Sequence, residues 1–200
     1  MINFESIDPS DPFIRLQDLY DKSLSAKQKN IEAICISSYN NIKKEVTSRY
    51  VNIKFIRDNK LFFFSNYNSP KAIDFQYHDQ IAGNIFWNSI DTQIRIKATI
   101  NKISNKESDY HFANRAIEKN ALAISSFQSR SIDSYESVIK KYEITLGSLN
   151  KNNYKRPEYW GGFSIKPYYF EFWHGNPNRL NERYAYHLLD GKWSSFILEP

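Results

Sequence analysis

The sequence predicts an α+β fold, an antiparallel β-barrel with helices at its periphery. Most of the predicted strands are followed by another strand after a short turn, which is typical of antiparallel pairing. The predicted helices fall between hairpins rather than after every strand, as a doubly wound parallel sheet would require. No break in composition within the 200 residues demands a second domain. We therefore expect one domain over residues 1–200.

The first part of the chain begins with a helix and continues with strands. The helix is predicted over residues 12–24 from apolar residues at helical spacing, with Asp11-Pro12 as its start. Strands are predicted over residues 31–37, 50–56 and 61–65. The last two form a hairpin around a turn at residues 57–60. Ser69-Pro70 opens a second helix, because serine caps free N–H groups and proline is tolerated at the first helical position.

The second part contains longer strands and two further helices. Strands are predicted over residues 81–87, 92–103, 168–173, 183–188 and 193–198. The second of these alternates cleanly, with isoleucines inward and charged residues outward. Ser104 and Glu107 have the spacing of a capping box, and the helix that they start continues to Ile117. Another helix begins at residues 133–136, and residues 156–162 form a turn-rich link to the last strands.

The composition indicates a soluble globular protein of a reducing compartment. The hydrophobic fraction is 41%, and the single cysteine, Cys35, lies in an apolar run that predicts a small buried side chain. The N-terminus has no secretory pattern, and no apolar stretch approaches the ~20 residues that cross a bilayer, so we expect a cytoplasmic protein without a membrane partner. The net charge of +5 is not clustered, since Lys43-Lys44 and Lys140-Lys141 are short pairs beside acidic residues. A nucleic-acid partner is therefore not expected.

Common catalytic and nucleotide-binding motifs are absent from the sequence. It contains no G-x-G-x-x-G, no P-loop and no G-x-S-x-G, and its four histidines lack the spacing of a metal site. Several cations do lie within or beside apolar segments: Arg49, Lys54, Lys71, Arg95, Arg115, Arg179 and Arg183. A phosphate or carboxylate ligand would be a natural partner for such cations, although a cation of this kind, taken alone, more often forms an ordinary salt bridge.

Seven blocks of the sequence together resemble one enzyme family. They are Arg49–Lys54 (RYVNIK), Phe64–Lys71 (FSNYNSPK), Gln93–Arg95 (QIR), Ser126–Ser129 (SFQS), Arg156–Gly162 (RPEYWGG), Glu171–Gly175 (EFWHG) and Arg179–Arg183 (RLNER). In this order they resemble the motifs of the pyridoxamine 5′-phosphate oxidases, over roughly residues 11 to 200. Each block is weak evidence when taken alone, whereas the ordered set is highly specific.

The resemblance implies a split β-barrel homodimer with an FMN in each of two interface sites. The barrel and its helices would span about residues 11–150, and a dimerisation segment about residues 156–200. By motif position, the residues that hold FMN would be Arg49, Val51, Lys54, Phe64, Ser65, Lys71, Gln93, Gln128, Ser129, Trp173 and Arg183. Family members oxidise a CH–NH2 or CH–OH carbon of the substrate by hydride transfer to the flavin, and molecular oxygen is reduced to hydrogen peroxide.

The positions that would contact the substrate depart from the family pattern. By resemblance they are Lys54, His111, Arg115, Lys119, Arg179 and Asn181, of which Arg179 and Asn181 would be catalytic. The family has Tyr, Ser and His where this chain has His111, Lys119 and Asn181. It also has Arg where this chain has Pro70 and Ile197. Metal ligands are not implied.

These departures leave three functions open. The first is a pyridoxine/pyridoxamine 5′-phosphate oxidase that makes pyridoxal 5′-phosphate, and retention of Lys54 and Arg115 favours such a phosphorylated substrate. The second is a paralogue that oxidises another anionic ring compound, as the phenazine-biosynthesis oxidases do, and the Asn at position 181 favours it. The third is a flavin-binding split barrel without turnover.

Overall fold

The computed structural model describes residues 1–7, 9, 12–150 and 154–200. This part of the chain forms one ten-stranded sheet with helices around it. The strands are β1 Asn3–Glu5, β2 Ala33–Asn40, β3 Glu45–Asn52, β4 Phe55–Arg57, β5 Lys60–Asn66, β6 Gln80–Trp87, β7 Thr92–Lys102, β8 Trp160–His174, β9 Glu182–Leu189 and β10 Lys192–Ile197. The helices are α1 Phe13–Ser25, α2 Pro70–Tyr77, α3 Asn105–Ala113, α4 Ile117–Ser125 and α5 Tyr135–Ser148.

The sheet is almost wholly antiparallel, which confirms the predicted α+β class. Its order is β1-β4-β5-β8-β7-β6-β2-β3, and β9 pairs with both β8 and β10. Only the pairing of the short β1 with β4 is parallel among the described strands. The long β8 pairs with β5 over residues 160–165 and with β9 over residues 169–174, while β7 runs along its other edge. One edge of β8 is thus shared by two strands, so the sheet divides there.

Alternation along the strands builds the core. In β7, Ile94, Ile96 and Ile100 are buried, whereas the neighbouring Arg95 and Lys97 are exposed, as the sequence predicts. Side chains of successive strand residues point to opposite faces, so one face of each strand enters the barrel. Helix α1 covers part of this core with Phe13, whose ring packs edge-on against Phe170. Burial of each large apolar side chain stabilises the folded state by roughly 1.5–3 kcal/mol relative to leaving it exposed to water.

Two predicted elements are divided in the structure. The strand predicted over residues 50–56 is split between β3 and β4, because the chain changes partners between them. Ile53 N donates to Glu32 O beside β2, and Lys54 N donates to Phe62 O of β5. The helix predicted to continue to Ile117 ends instead at Ala113, where the amide of Asn114 satisfies the carbonyl of Tyr110. Ile117 begins the separate helix α4.

Three further expectations were wrong in detail. The turn-rich link over residues 156–162 ends earlier than expected, since β8 already begins at Trp160. The Ser69 side chain makes no helix cap, because its hydroxyl donates to Asn66 O and accepts from Lys71. Cys35 is only partly buried, since it lies on the outer face of β2 between two inward isoleucines.

The ends of other elements agree closely with expectation. Helix α1 begins directly after Pro12, whereas Asp11 lies outside the described residues. Ser104 accepts a hydrogen bond from Glu107 N at the start of α3, which confirms the serine cap, while the Glu107 carboxylate accepts from the Ser104 hydroxyl rather than from its backbone N–H. None of the helices in the described part of the chain has the length and apolar character that crossing a bilayer requires.

Two glycines provide a matched test of packing. A methyl group at Gly161 would overlap the hydroxyl of Tyr67, which is itself held by Gly162 O, whereas one at Gly147 in α5 would meet nothing. Gly161→Ala should therefore lower the free energy of unfolding by about 1–3 kcal/mol. Gly147→Ala should raise it by roughly 0.5–1 kcal/mol, because alanine is the better helix former. Urea unfolding of both variants measures these changes, and equal stability of the two would contradict the described packing.

Candidate functional site

A groove of about 750 Å³ runs between β3, β5, the start of α2, and α4 with its flanking turns. Its lining includes the following residues that the sequence assigns to the flavin: Arg49, Val51, Lys54, Phe64, Ser65, Lys71, Gln128 and Ser129. Arg49 and Val51 project from β3 and are paired in register with the buried Ile36 and Ile34 of β2. The β-sheet therefore fixes the position of these side chains at the groove wall.

One end of the groove, here called the phosphate end, contains two neighbouring cations, Arg49 and Lys71. Lys71 is only 5% exposed and its Nζ donates to Ser69 Oγ at 3.0 Å. Burial, together with the positive charge of Arg49, lowers the pKa of Lys71 to about 8. Neither cation has a carboxylate within salt-bridge distance among the described residues. An anion bound between them would offset both burial and repulsion.

The wall next to the phosphate end can recognise a mixed hydrogen-bonding edge. Gln128 Oε1 accepts from Ser65 Oγ at 3.2 Å and from Asn66 N at 3.3 Å. This arrangement fixes the amide and leaves its Nε2 without a partner in the part of the chain that the structure describes. Ser129 beside it adopts a left-handed backbone, with φ of 67°. The amide can therefore donate to an acceptor in the groove.

Further along the groove lies a group that we call the cationic cradle: Lys54, His111, Arg115 and Lys119. Lys54, Arg115 and Lys119 line the groove itself, and Glu32 is the one carboxylate among the lining residues. The guanidinium of Arg115 lies over the Trp160 ring, 4.5 Å from its centroid. Its buried NH1 has no hydrogen-bond partner among the described residues. The cradle therefore has unused donor capacity for a second anion.

His111 supplies a neutral donor and acceptor to the cationic cradle. Its ring stacks on Phe64, with centroids 3.6 Å apart and planes 7° from parallel. Burial, followed by the charges of Arg115, Lys54 and Lys119, lowers the pKa of His111 to about 4. At neutral pH the imidazole is therefore uncharged, and it can hydrogen-bond without adding to the repulsion among the cations.

The remaining predicted site residues form a separate set on the β8–β9 hairpin and β7. Gln93, Trp173 and Arg183 lie opposite one another in β7, β8 and β9, so their side chains share the outer face of the sheet. Arg179 and Asn181 belong to the loop between β8 and β9, where Asn181 Oδ1 accepts from Asn176 N at 3.0 Å. We call these five residues the hairpin set. None of them lines the groove of its own chain.

A buried carboxylate organises the hairpin set. Glu171 is 2% exposed and accepts from Arg183 Nε at 3.0 Å and NH2 at 2.8 Å. Its other oxygen accepts from Arg95 NH1 at 2.8 Å. Arg95 and Arg183 thus form salt bridges, which is the alternative to ligand binding that the sequence left open for them. Because two donors of Arg183 bond to the same carboxylate oxygen, the orientation of the guanidinium is fixed.

Sequence reasoning missed the carboxylates that surround these cations. Glu32, Asp74 and Glu171 were not assigned a role, although the first lines the groove and the other two hold cationic side chains directly or through a serine. Asp74 was detectable only as an acidic residue one turn after Lys71. Its partners come from β2, and no local pattern indicates such a contact.

The fold is shared with several solved structures. PhzG from Burkholderia lata 383, solved in complex with tetrahydrophenazine-1-carboxylic acid, superimposes with a TM-score of 0.88 at 21% identity, over 96% of this chain and 94% of that one. A pyridoxamine 5′-phosphate oxidase-related, FMN-binding protein from Nostoc punctiforme has a TM-score of 0.75 at 16% identity, over 98% of this chain and 100% of that one. The chain thus has the fold of the split β-barrel proteins.

Sequence comparison identifies the family within this class. Residues 160–200 match the pyridoxine 5′-phosphate oxidase C-terminal dimerisation region. The pyridoxine/pyridoxamine 5′-phosphate oxidase of Actinobacillus pleuropneumoniae serotype 3 is 31% identical over 191 residues, covering 96% of this chain and 90% of that protein. The enzyme of the same name from Cupriavidus taiwanensis is 32% identical over 191 residues, covering 95% of this chain and 89% of that protein. The chain belongs to the pyridoxine/pyridoxamine 5′-phosphate oxidase family, which confirms the resemblance.

The half-buried imidazole of His111 should make the stability of the protein pH-dependent. Because the pKa of His111 is lowered on folding, the unfolded chain binds a proton that the folded chain does not between about pH 6.5 and 4. Stability should therefore fall as the pH drops through this window, and His111→Tyr should remove that part of the loss. Urea unfolding of both proteins at pH 7.5 and 5 tests this expectation. An identical loss of stability in the two would show that His111 does not titrate in this way.

Proposed function

We propose that this protein is an FMN-dependent oxidase that converts pyridoxine or pyridoxamine 5′-phosphate to pyridoxal 5′-phosphate. The observation that carries the proposal is the presence of two groups of unneutralised cations in one groove. The phosphate end and the cationic cradle could each take one anion, namely the FMN phosphate and the substrate phosphate. Membership of the oxidase family supports the oxidoreductase class and the flavin.

The residues of the groove fit FMN. Arg49 and Lys71 would hold its phosphate, since Lys71 is buried, Arg49 is half-buried, and neither has a carboxylate contact among the described residues. Gln128 Nε2 would donate to the polar edge of the ring system, and Phe64 offers an apolar wall. FMN, when bound, supplies the two-electron acceptor that the protein side chains lack.

The hairpin set indicates how the site is completed. Gln93, Trp173 and Arg183 lie apart from the groove of their own chain, and they would close the groove of a second copy. Tyr50 and Phe86 are 73% and 53% exposed on the same outer face of the sheet, which provides apolar surface for such a contact. The match of residues 160–200 to a dimerisation region supports the homodimer. Residues 1–200 as one domain, with a dimerisation segment at about 156–200, remain a prediction.

The side chains act by binding and orienting the substrate. Lys54, Arg115 and Lys119 would hold its phosphate, while neutral His111 contributes a hydrogen bond. Arg179 of the second copy would lie over the substrate ring, and Asn181 would hydrogen-bond to it without exchanging a proton. In the overall reaction the substrate loses two electrons and two protons, one hydrogen leaving its carbon and one leaving its hydroxyl or amino group, and O2 gains them as hydrogen peroxide. With pyridoxamine 5′-phosphate the resulting imine then takes up water and releases ammonia.

A second candidate is an oxidase of a different anionic ring compound. The cationic cradle contains Lys119 and neutral His111 where the family has Ser and Tyr, and these changes alter both its charge and its donors. Asn181 cannot serve as the acid or base that a histidine provides. A carboxylated ring would satisfy the same cations.

An oxidase assay separates these candidates. The purified, FMN-loaded protein is supplied with pyridoxine 5′-phosphate, pyridoxamine 5′-phosphate or unphosphorylated pyridoxine, and hydrogen peroxide is measured. We expect kcat/KM for the phosphorylated compounds to exceed that for pyridoxine by about a hundredfold or more, as the loss of two charge-assisted hydrogen bonds implies. Bound FMN without peroxide from any of them would overturn the proposed substrate, and an aromatic carboxylic acid would be assayed next. Protein that binds no FMN would overturn the oxidase proposal altogether.

Two substitutions should separate flavin binding from turnover. Lys71→Ala should weaken FMN binding by about ten- to a hundredfold, because one charge-assisted hydrogen bond is lost. Arg179→Ala should lower kcat with FMN still bound. FMN affinity of the unaltered protein should also decrease above about pH 8, as Lys71 loses its proton, and Lys71→Ala should abolish this decrease. Fluorescence titration measures affinity, and exposed Lys166→Ala is the matched control. The reverse pattern would show that the two roles are wrongly assigned.

A further inference from the structure

Asp74 is a buried carboxylate that the proposed function does not use. It lies on α2 one turn after Lys71, is 3% exposed, and does not line the groove. Its Oδ2 accepts from Ser38 Oγ at 2.8 Å and its Oδ1 accepts from Asn40 Nδ2 at 2.8 Å. A buried charge is costly unless it is hydrogen-bonded and compensated, so its presence at this place requires a reason.

Ser38 connects this carboxylate to the phosphate end of the groove. The serine is 2% exposed, and its Oγ accepts from Arg49 NH1 at 2.8 Å while donating to Asp74. A hydroxyl has one proton, and giving that proton to Asp74 turns its lone pairs towards Arg49. The arrangement is an ion pair transmitted through a hydroxyl, in which each hydrogen bond strengthens the other.

The contact opposes a repulsion at the phosphate end. Lys71 and Arg49 carry like charges, and each charge favours movement of the other away from the groove. Asp74 acts on Arg49 with the opposite sign, and it raises the pKa of Arg49 against the larger lowering effect of burial. Arg49 also donates to Ile36 O at 3.2 Å and to Thr47 Oγ1, so its guanidinium is held against β2 and β3.

We propose that Asp74, acting through Ser38, is a positioning residue that holds Arg49 beside Lys71 for binding of the flavin phosphate. The inference rests on the proposed function, since it takes the phosphate of FMN as the anion bound by Arg49. The alternative is a purely structural role, in which Asp74 only ties α2 to β2. The two roles differ in whether the effect depends on the phosphate of the ligand.

Comparison of FMN with riboflavin, which has the same ring system and no phosphate, separates the two roles. Kd values for both flavins are measured by fluorescence quenching for the unaltered protein, Asp74→Asn and Ser38→Ala. We expect each variant to bind FMN about tenfold or more weakly, as loss of a charged hydrogen-bonding partner implies, and riboflavin within about twofold of the unaltered protein. Equal weakening of both flavins, or no weakening of either, would overturn the inference.

Asn40→Ala is the matched control, because it removes the other hydrogen bond to the same carboxylate without involving Arg49. It should lower thermal stability and leave the ratio of the two Kd values unchanged.

Should Asp74→Asn fail to fold, Ser38→Ala tests the same connection with Asp74 intact. In an Arg49→Met background, Asp74→Asn should have no further effect on FMN binding. An unaltered protein that binds neither flavin would overturn the proposed function and this inference together. An unaltered ratio of Kd values in a flavin-binding Ser38→Ala protein would overturn the inference alone.

Discussion

The groove of this protein depends on holding several like charges close together in a partly buried place. Lys71, Arg49, Lys54 and Arg115 all have pKa values lowered by burial, so the folded chain spends stability to keep them charged. Such destabilising charges are typical of functional sites, where a bound ligand of opposite charge stabilises them. The sheet makes the arrangement possible, because the pairing of β3 with β2 fixes the backbone position from which Arg49 projects. Its guanidinium is held by separate hydrogen bonds to Ile36 O and Ser38 Oγ.

The two ends of the groove differ in how their positive charges are compensated. At the phosphate end, a buried carboxylate outside the groove acts on Arg49 through Ser38, and no carboxylate of the described residues forms a salt bridge with Arg49 or Lys71. In the cationic cradle, the neutral state of His111 avoids one further positive charge, and the attraction of Arg115 to the face of the Trp160 ring offsets part of the repulsion. On the hairpin, by contrast, Glu171 neutralises Arg183 directly and fixes its orientation.

The sequence predicted the class of fold and most elements, since alternation in β7 and the Ser104–Glu107 cap are local signals. The sequence did not predict the features that depend on contacts between residues far apart in the chain. The break between β3 and β4 arises because Ile53 and Lys54 bond to different neighbours, and the early start of β8 depends on pairing with β5. For the site, the ordered motifs indicated which residues matter. The resemblance also implied an interface site built from two chains. Neither the motifs nor the resemblance indicated that Gln93 lies beside Trp173 rather than in the groove with Arg49, or that Asp74 and Glu171 hold the arginines.

Strand β8 has a consequence for how the chain can change in length. Its first residues pair with β5 beside the groove, and its last residues carry Glu171 and Trp173. β8 already contains one extra residue relative to β7, at Tyr168, where the register between the two strands shifts. A further one-residue insertion after Tyr169 would reverse the direction of the later side chains, so Glu171 and Trp173 would leave the outer face of the sheet. The loop between β8 and β9 lies outside the strand pairing, so a change in its length does not alter the direction of the strand side chains. Evolutionary insertions should therefore accumulate in that loop and be excluded from the interval between Tyr169 and Trp173.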